Sequence, residues 1–401
     1  MQPTRFLDRR TPPHLVTLVA LAGLSTLAMN IFLPSLPGMA TWFKVDYAVM
    51  QLAVSFYLAG SAVLQILVTP LSDRYGRRPI ILAALVIFVV ATLAALFAPS
   101  AQWFLAARVV QAVVATGMAL SRAVIRDMVP TEQAASMIGY VTMAMSVVPM
   151  IGPAVGGALD EVFGWKASFV LLGVLGVLMI ALVWADLGET AKPTGRSFAA
   201  QIREYPELLA SPRFWGYSSV ASLASGSFFA YLGGAPFVGE TVFHLSPAAV
   251  GYYFAAPAIG YALGNFVAGR WSVRVGINRM VLAGTVFSTV ALLLGAIVAA
   301  LGPAHPLIFF TTVGLMAVGN GITLPNANAG ILSVRPHLAG SASGLGGAMM
   351  IGGGAILAAI AGPLLSETAG HYVLLSVMAV SSALSTLAIL LVIRRERRLI
   401  R

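Results

Sequence analysis

The segment that decides the fold is Thr69-Pro-Leu-Ser-Asp-Arg-Tyr-Gly-Arg-Arg-Pro79, which joins two apolar runs at residues 49–71 and 79–98. Each run has the roughly 20 apolar residues that a helix needs to cross a bilayer. Short loops rich in arginine are typical of the cytoplasmic face of membrane proteins. The segment therefore predicts two membrane-spanning helices joined by a tight basic turn at the inner surface.

The charges of this turn also allow a more specific interpretation. An acid at the end of a helix can pair with a nearby arginine, and a glycine can adopt the backbone conformation of a tight turn. We interpret the turn as a latch that holds one conformation of the cytoplasmic face. The residues of this predicted latch are Asp73, Arg74, Gly76, Arg77 and Arg78.

The composition agrees with a membrane protein. The chain has 401 residues, of which 59% are hydrophobic and 9% are charged, whereas an average soluble domain has about 25% charged residues. The mean hydropathy is +0.89. So few charges cannot cover the surface of a soluble protein of this length, which excludes a cytosolic enzyme, a secreted domain and a disordered chain.

The chain contains twelve apolar runs of spanning length, which predict an all-α polytopic protein with both termini in the cytoplasm. The longest loop, 187–213, separates a first half of six helices, 1–186, from a second half of six helices, 214–401. This linker contains Lys192, Pro193, Gly195 and Arg196, followed by an amphipathic stretch. The runs are 14–36, 49–71, 79–98, 102–125, 134–158, 167–186, 214–236, 248–269, 279–301, 306–333, 340–364 and 371–393.

This topology accounts for the net charge of +10. It places 21 of the 24 lysines and arginines at the inner face, with Lys44 and Lys166 outside and Arg108 within a span. The basic excess is therefore explained by the positive-inside rule, and no nucleic-acid partner is expected. The apolar run after the basic residues 5–10 is longer than the core of a signal peptide, so we expect an uncleaved first span.

The two halves resemble each other around the basic turn. An offset of 200 aligns Gly60, Ala62, Ser72, Arg74 and Gly76 with identical residues of the second half. The second copy of the turn has valine at position 273, so its latch is degenerate at best. Two six-helix repeats indicate a transporter whose binding site lies between the halves.

Several kinds of chemistry are excluded. The chain has no cysteine, and its five histidines are scattered without metal-ligand spacing, so we expect no metal and no cofactor. A nucleotide-driven pump would need a GxxxxGK[ST] loop, which is absent from the sequence. A membrane-embedded enzyme would need paired acids or a nucleophile with its base inside the bilayer, and none is found.

Further motifs occur in order along the first half. They are Asn30-Ile-Phe-Leu-Pro34-Ser-Leu-Pro37, Arg108-x-x-Gln111, Arg126-Asp127 and Pro149-x-x-Gly152-Pro153-x-x-Gly156-Gly157. Together with the basic turn, they resemble the major facilitator superfamily, in particular the bicyclomycin/chloramphenicol-resistance (Bcr/CflA) branch of its twelve-span drug:proton antiporters. The resemblance implies export of small, mostly hydrophobic compounds across a bacterial inner membrane by alternating access driven by protons. The near alternative is a transporter of the same fold for a metabolite or sugar.

The resemblance also implies roles for individual residues. Arg108 and Gln111 are expected to take part in proton coupling. The small residues and the proline of the fifth span are expected to bend the helix and let it approach a neighbour closely; they are Gly152, Pro153, Gly156 and Gly157. Three positions depart from the family pattern: Thr69 and Val114 replace glycines, and Asn30 replaces an aspartate.

Two interpretations of Arg108 remain open on sequence grounds. Its side chain could extend to the outer surface, or it could face the bundle interior and bind carbonyl or amide groups. Gln111, Ala112 and Ala115 share its helical face, which is small and polar as an inward face should be. We favour the inward orientation.

None of the fourteen carboxylates lies in the middle of a predicted span. This disfavours permanent cations as substrates and predicts neutral or weakly polar ones, because a buried cation without a counter-charge is costly. Proton coupling would then use an acid at the edge of the membrane, such as Asp46, Glu240 or Glu367. The candidates for the substrate cavity are Asn30, Phe32, Tyr57, Phe228, Tyr231, Tyr253, Asn320 and Asn326. We expect a monomer.

Overall fold

A computed structural model describes residues 5–129, 131–191, 198–302 and 304–400. Within these residues every regular element is helical. The α-helices are α1 Leu15–Asn30, α2 Leu36–Phe43, α3 Tyr47–Tyr75, α4 Arg77–Leu96, α5 Ala101–Gln111, α6 Ala115–Met128, α7 Thr131–Phe163, α8 Lys166–Asp186, α9 Phe198–Leu209, α10 Pro212–Phe237, α11 Pro247–Tyr253, α12 Ala255–Val275, α13 Ile277–Leu301, α14 Pro306–Ser333, α15 Ala339–Ala361 and α16 Gly370–Ile400.

The predicted all-helical membrane fold is confirmed. Each of the twelve predicted runs coincides with one helix or with two consecutive helices. Among the described residues, nine segments are long and apolar enough to cross a membrane. The other three runs form α7, α10 and the pair α11–α12, which are helical at the predicted positions.

Several spans contain local breaks, and the sequence offers a reason for the first one. A 3₁₀ turn at Leu33–Ser35 separates α1 from α2, and Pro34 in this turn has no N–H to donate. A second 3₁₀ turn at Ala112–Val114 separates α5 from α6. At the outer end of α10, the chain continues as one π-helical stretch, Val238–Val242, which carries Glu240.

The buried apolar residues form three clusters, and their distribution defines the conformation. One cluster lies entirely within residues 18–187, and a second lies entirely within residues 208–392. The third contains residues of both halves, from Phe32 to Ala379, and lies toward the outer ends of the helices. The halves therefore share a core at the outer side and have separate cores at the inner side.

The amphipathic stretch after the sixth span forms α9, which contacts α3, α10 and α15. Its inner face includes Leu208, which is fully buried in the core of the second half. The linker residues Lys192, Pro193, Gly195 and Arg196 lie outside the described residues. The division into the domains 1–186 and 214–401 stays a prediction, and we use "first half" and "second half" for these ranges.

Candidate functional site

The basic turn between α3 and α4 is organised around Arg77. Its guanidinium binds Asp73 at 2.5 Å, one helical turn earlier, and its Nε donates to the carboxylate of Asp127 at 3.0 Å. A further hydrogen bond joins it to the hydroxyl of Ser72. The arginine side chain is 9% exposed, so these two carboxylates neutralise a cation that is largely removed from water. All of these partners belong to the first half.

Glu189 supports the same turn and was missed in the sequence analysis. Its carboxylate accepts hydrogen bonds from the backbone N–H groups of Arg77, at 2.8 Å, and Arg78, at 3.3 Å. These groups form the start of α4, where an anion is favoured because the first N–H groups of a helix have no intrahelical partner. The signal in the sequence was an acid directly after the sixth span, at a membrane surface that is otherwise basic.

Gly76 is required at this turn for two reasons. Its φ of +98° lies in the region that side chains rarely adopt. A Cβ atom at this position would lie 2.9 Å from the carboxylate carbon of Glu189. The other arginines of the turn do not join the cluster: Arg74 lies over the ring of Tyr75, and Arg78 donates to the carbonyl of Trp184 at 3.0 Å.

The second half has a different network at the corresponding inner end. Arg213 binds Glu396 at 2.9 Å, and Asn278 donates to the same carboxylate. Tyr217 donates to Asn278 at 2.7 Å. These four side chains line a cavity of about 950 Å³, together with Asn326. The acid of this network is Glu396 of α16. Val273, which occupies the position equivalent to Asp73, is 95% exposed.

Arg108 is fully buried between two aromatic rings. Its guanidinium carbon lies 4.2 Å from the ring centre of Phe32 and 4.5 Å from that of Tyr57. It donates to the carbonyl of Ala28 at 3.3 Å and to the amide oxygen of Gln111, whose Nε2 donates to Thr92 at 2.8 Å. A side chain with 0% exposure does not extend to the outer surface, so the inward orientation is the observed one.

The arginine is not fully satisfied by these partners. Its Nε and its second terminal nitrogen have no hydrogen-bond partner among the described residues. No carboxylate of the described residues lies within ion-pair distance of it. The two rings stabilise the cation through their negative faces, an effect that is largest when water is excluded.

Asn30 does not face this arginine. It is fully buried near the end of α1, its Nδ2 donates to the carbonyl of Thr26 at 2.8 Å, and its Oδ1 has no partner among the described residues. A Cβ atom on Gly152 would lie 3.8 Å from the Cβ of Asn30. Asn30 therefore faces α7, whereas Ala28 and Phe32, two residues away on either side, contact Arg108 on another face of the helix.

The glycines of the fifth span bring helix backbones together. A Cβ atom on Gly156 would lie 2.7 Å from the carbonyl carbon of Ile31, within the first half. A Cβ atom on Gly157 would lie 2.7 Å from the carbonyl carbon of Pro247, in the second half. The approach is reciprocal, because a Cβ atom on Gly251 would lie 2.8 Å from the carbonyl carbon of Pro153. The helix α7 continues through Pro153.

Hydrogen bonds between the halves accompany this close approach at the outer side. Tyr47 donates its hydroxyl to the carbonyl of Gly233 at 2.5 Å, and Gln51 donates to the carbonyl of Ala358 at 2.8 Å. The side chain of Gln51 is 1% exposed and packs against two glycines of the second half. A Cβ atom on Gly233 would lie 3.0 Å from its Cγ, and a Cβ atom on Gly362 would lie 2.7 Å from its Oε1. The outer side of the molecule is therefore closed.

The acids predicted for the membrane edge lie on one outer cavity. Asp46, Glu240 and Glu367 line a space of about 690 Å³ together with Lys44 and residues of both halves. Partial burial and the nearby carboxylate of Asp160 raise the pKa of Glu240 to about 7. Burial also raises the pKa of Asp160, and the neighbouring Glu161 adds to that increase. The interacting acids Asp160 and Glu240 come from opposite halves.

Most of the predicted cavity residues are packed into the interior in this conformation. Phe32, Tyr57 and Tyr231 are at most 2% exposed. Tyr231 lies in an aromatic cluster, with its ring 5.0 Å from that of Phe254. The remaining candidates divide as follows: Asn320 is buried, Phe228 is partly buried and stacks on Tyr231, Tyr253 stacks on Phe310, and Asn326 lines the inner cavity of the second half. Their role in substrate binding stays a prediction.

A helical bundle of this kind, with an ion-pair cluster at its inner end and a closed outer end, is the architecture of a membrane transporter. The sequence profile of the Major Facilitator Superfamily matches residues 18–249 and 236–401. The chain belongs to this superfamily. It is therefore a transporter of small molecules and a multi-pass protein of the bacterial inner membrane.

Individual relatives agree with this assignment. The chain is 30% identical over 329 residues to the multidrug transporter MdfA of Yersinia pestis (strain Angola), covering 81% of this chain and 80% of that protein. It is 28% identical over 386 residues to a bicyclomycin resistance protein homolog of Haemophilus influenzae, covering 91% and 94%. A crystal structure of a bacterial homolog of the human lysosomal transporter Spinster, in an inward-facing and unoccupied conformation, superimposes with a TM-score of 0.70 at 18% identity, covering 94% and 93%.

Proposed function

We propose that the protein is a secondary active exporter of small amphipathic or hydrophobic compounds, which it moves out of the cell by alternating access coupled to protons. The observation that carries this proposal is the asymmetric packing of the two halves. They share one apolar core at the outer side and have separate cores at the inner side. An exporter needs such an inward-open state to accept its substrate from the cytoplasm.

Drug efflux is favoured over metabolite transport by the relatives. The names of MdfA and of the bicyclomycin resistance protein homolog describe drug transport or drug resistance. The substrates we propose are neutral or weakly polar, such as phenicols or bicyclomycin-like antibiotics. The absence of a carboxylate from the middle of every predicted span supports this choice over quaternary ammonium compounds.

Coupling to protons is the less direct part of the proposal. Asn30 cannot titrate, so the acids that remain are those at the outer edge. Glu240 is the best candidate, because its pKa of about 7 lies in the physiological range. Arg108 would respond to proton binding by changing its partners, since two of its nitrogens are free to bind others. We propose a monomer as the functional unit.

The test uses an efflux-deficient bacterial strain and inverted membrane vesicles. Expression of the protein should raise resistance to a phenicol, and addition of the phenicol to energised vesicles should release protons. Cells and vesicles that lack the protein serve as the inactive control. Resistance to quaternary ammonium compounds alone, or uptake of a sugar in place of drug export, would contradict the proposal.

A further inference from the structure

Arg122 lies inside the fourth span, although the topology predicted from the sequence counted it among the arginines of the inner membrane surface. It belongs to α6, six residues before the helix ends at Met128, which corresponds to about 9 Å along the helix axis. The charge count assigned it to the inner membrane surface. In the structure its side chain is half-buried, and its Nε is buried without a hydrogen-bond partner among the described residues.

This arginine differs from two other partly buried arginines of the inner side. Arg77 binds two carboxylates and Arg213 binds one. For Arg122 the described part of the chain provides no carboxylate within ion-pair distance. Removing a cation from water without a partner costs several kcal/mol, and charges inside a membrane bundle usually serve the transport pathway.

The charged and titratable neighbours of Arg122 come from two helices. On its own helix, Arg126 lies one turn closer to the inner surface and adds a second positive charge. On α12 of the second half, the hydroxyl of Tyr261 interacts electrostatically with Arg122. The guanidinium and the phenol therefore lie within electrostatic range of each other and belong to opposite halves, which have separate cores at the inner side.

We propose that Arg122 and Tyr261 form a binding site for the anionic group of an amphipathic substrate. The guanidinium offers a planar set of donors that matches a carboxylate, and the phenol adds a donor from the other half. A ligand that binds both groups would bridge the halves and promote their closure at the inner side.

This proposal rests on the proposed export function and extends its substrate class from neutral compounds to amphipathic anions. It predicts that compounds with a carboxylate are preferred over uncharged compounds of the same size. The positive charges of Arg108 and Arg122, together with the lack of mid-span acids, make the interior favourable for anions. A bound anion would also provide the counter-charge that Arg122 lacks among the described residues.

The experiment compares two probes that differ in one charge: chloramphenicol hemisuccinate, which carries a carboxylate, and its methyl ester. Binding to the purified protein in detergent and uptake into inverted vesicles are both measured. The wild-type protein should bind the hemisuccinate more tightly than the ester, by about 10- to 100-fold, because a hydrogen bond to a charged group contributes about 1.5–3 kcal/mol. Arg122→Gln should remove this preference and leave the affinity for the ester within about twofold.

Two further variants make the result specific. Arg126→Gln removes the same charge from an exposed position one turn away and should retain the preference for the hemisuccinate. Tyr261→Phe should weaken hemisuccinate binding less than Arg122→Gln does, because it removes a neutral donor.

The outcomes also separate this proposal from the proposed function. Equal binding of the two probes by the wild-type protein would overturn the anion site, even if the ester is exported. An equal loss of the preference for the hemisuccinate in Arg122→Gln and Arg126→Gln would likewise overturn the anion site. The preference would then depend on the total positive charge and not on the position of Arg122. Specific hemisuccinate binding with no export of either probe would keep the site and reject the export function.

Discussion

Replacing Gly157 with alanine should shift the protein toward a state that is open to the outside. The added methyl group would lie 2.7 Å from the carbonyl carbon of Pro247 and 2.9 Å from the Cα of Ala248, both in the second half. Carbon atoms in favourable contact are about 3.5–4.0 Å apart. The helices α7 and α11 would therefore have to separate by roughly 0.8 Å or more to accept the methyl group.

The expected size of the effect follows from the cost of overpacking. Forcing an extra methyl group into a tightly packed interface typically costs about 1–3 kcal/mol. The penalty applies to the outer-closed state, in which these backbones touch, and is relieved when the halves part at the outer side. Since about 1.4 kcal/mol corresponds to a factor of ten, the equilibrium should shift by roughly 5- to 150-fold toward the outward-open state.

The natural absence of cysteine makes this shift measurable. A Ser55→Cys substitution places one thiol on α3, one turn from Gln51 on the face that meets the second half. Ser55 is 3% exposed in the closed state, so a membrane-impermeant maleimide added outside should label it slowly. Gly157→Ala should raise the labelling rate by about tenfold or more at equal protein abundance.

A matched control uses a glycine at the same interface that has room for a methyl group. A Cβ atom on Gly352 would lie 3.8 Å from the Cβ of Ala62, which is an ordinary contact between the halves. Gly352→Ala should therefore leave the labelling rate within about twofold. Equal labelling in the two alanine variants, or no increase in Gly157→Ala, would refute the argument from close packing.

Three further predictions concern charged groups. Asp73→Asn should reduce transport by about tenfold at normal abundance, since Arg77 loses one of its two carboxylates and a charged hydrogen bond contributes about 1.5–3 kcal/mol. Transport by this variant at the wild-type rate in vesicles would contradict the latch. Arg108→Ala should abolish transport and Arg108→Lys should restore little of it, because lysine lacks the planar fork of donors; full activity of both in the same assay would exclude a role in coupling. Glu240 has a pKa of about 7 in the outer-closed state, against 4.5 for an ordinary glutamate, so proton binding favours closure. The labelling rate of Ser55→Cys, corrected for the reactivity of a surface thiol, should therefore rise as the external pH increases through 7. Adding Glu240→Gln should remove this dependence on pH. An unchanged pH profile in that variant would contradict a role of Glu240 in closure.

The sequence was sufficient to predict the positions of the helices and the residues at which some of them end. Apolar runs of spanning length predict membrane helices because the bilayer demands a fixed length of hydrocarbon-compatible surface. The turn at Gly76 was also predictable, since a glycine between two such runs is suited to a φ of +98°. These features depend on short stretches of chain, which the sequence displays directly.

The partners of the site residues were not predictable in the same way. Glu189 caps the helix that begins at Arg77, 112 residues away in the chain, and Gly157 meets Pro247 across the boundary between the halves. No periodic pattern links such positions. Arg122 was assigned to the surface because it lies near the end of an apolar run, but the structure places it inside helix α6. Its depth depends on where that helix ends, and such boundaries are the least certain part of a sequence-based assignment.

The charge inventory connects the proposed substrate class with the energy source. A proton-driven exporter is simplest with a titratable acid in mid-membrane, and this chain has none in the middle of its predicted spans. An anionic substrate relaxes that requirement, because the inside-negative potential of a bacterial membrane itself drives a negative charge outward. The driving force is about 2.3 kcal/mol per 100 mV for one elementary charge, which corresponds to a concentration ratio of about 50. In that case the membrane potential acting on the anion held by Arg122 would add to the energy that the proton gradient supplies through Glu240 at the outer edge.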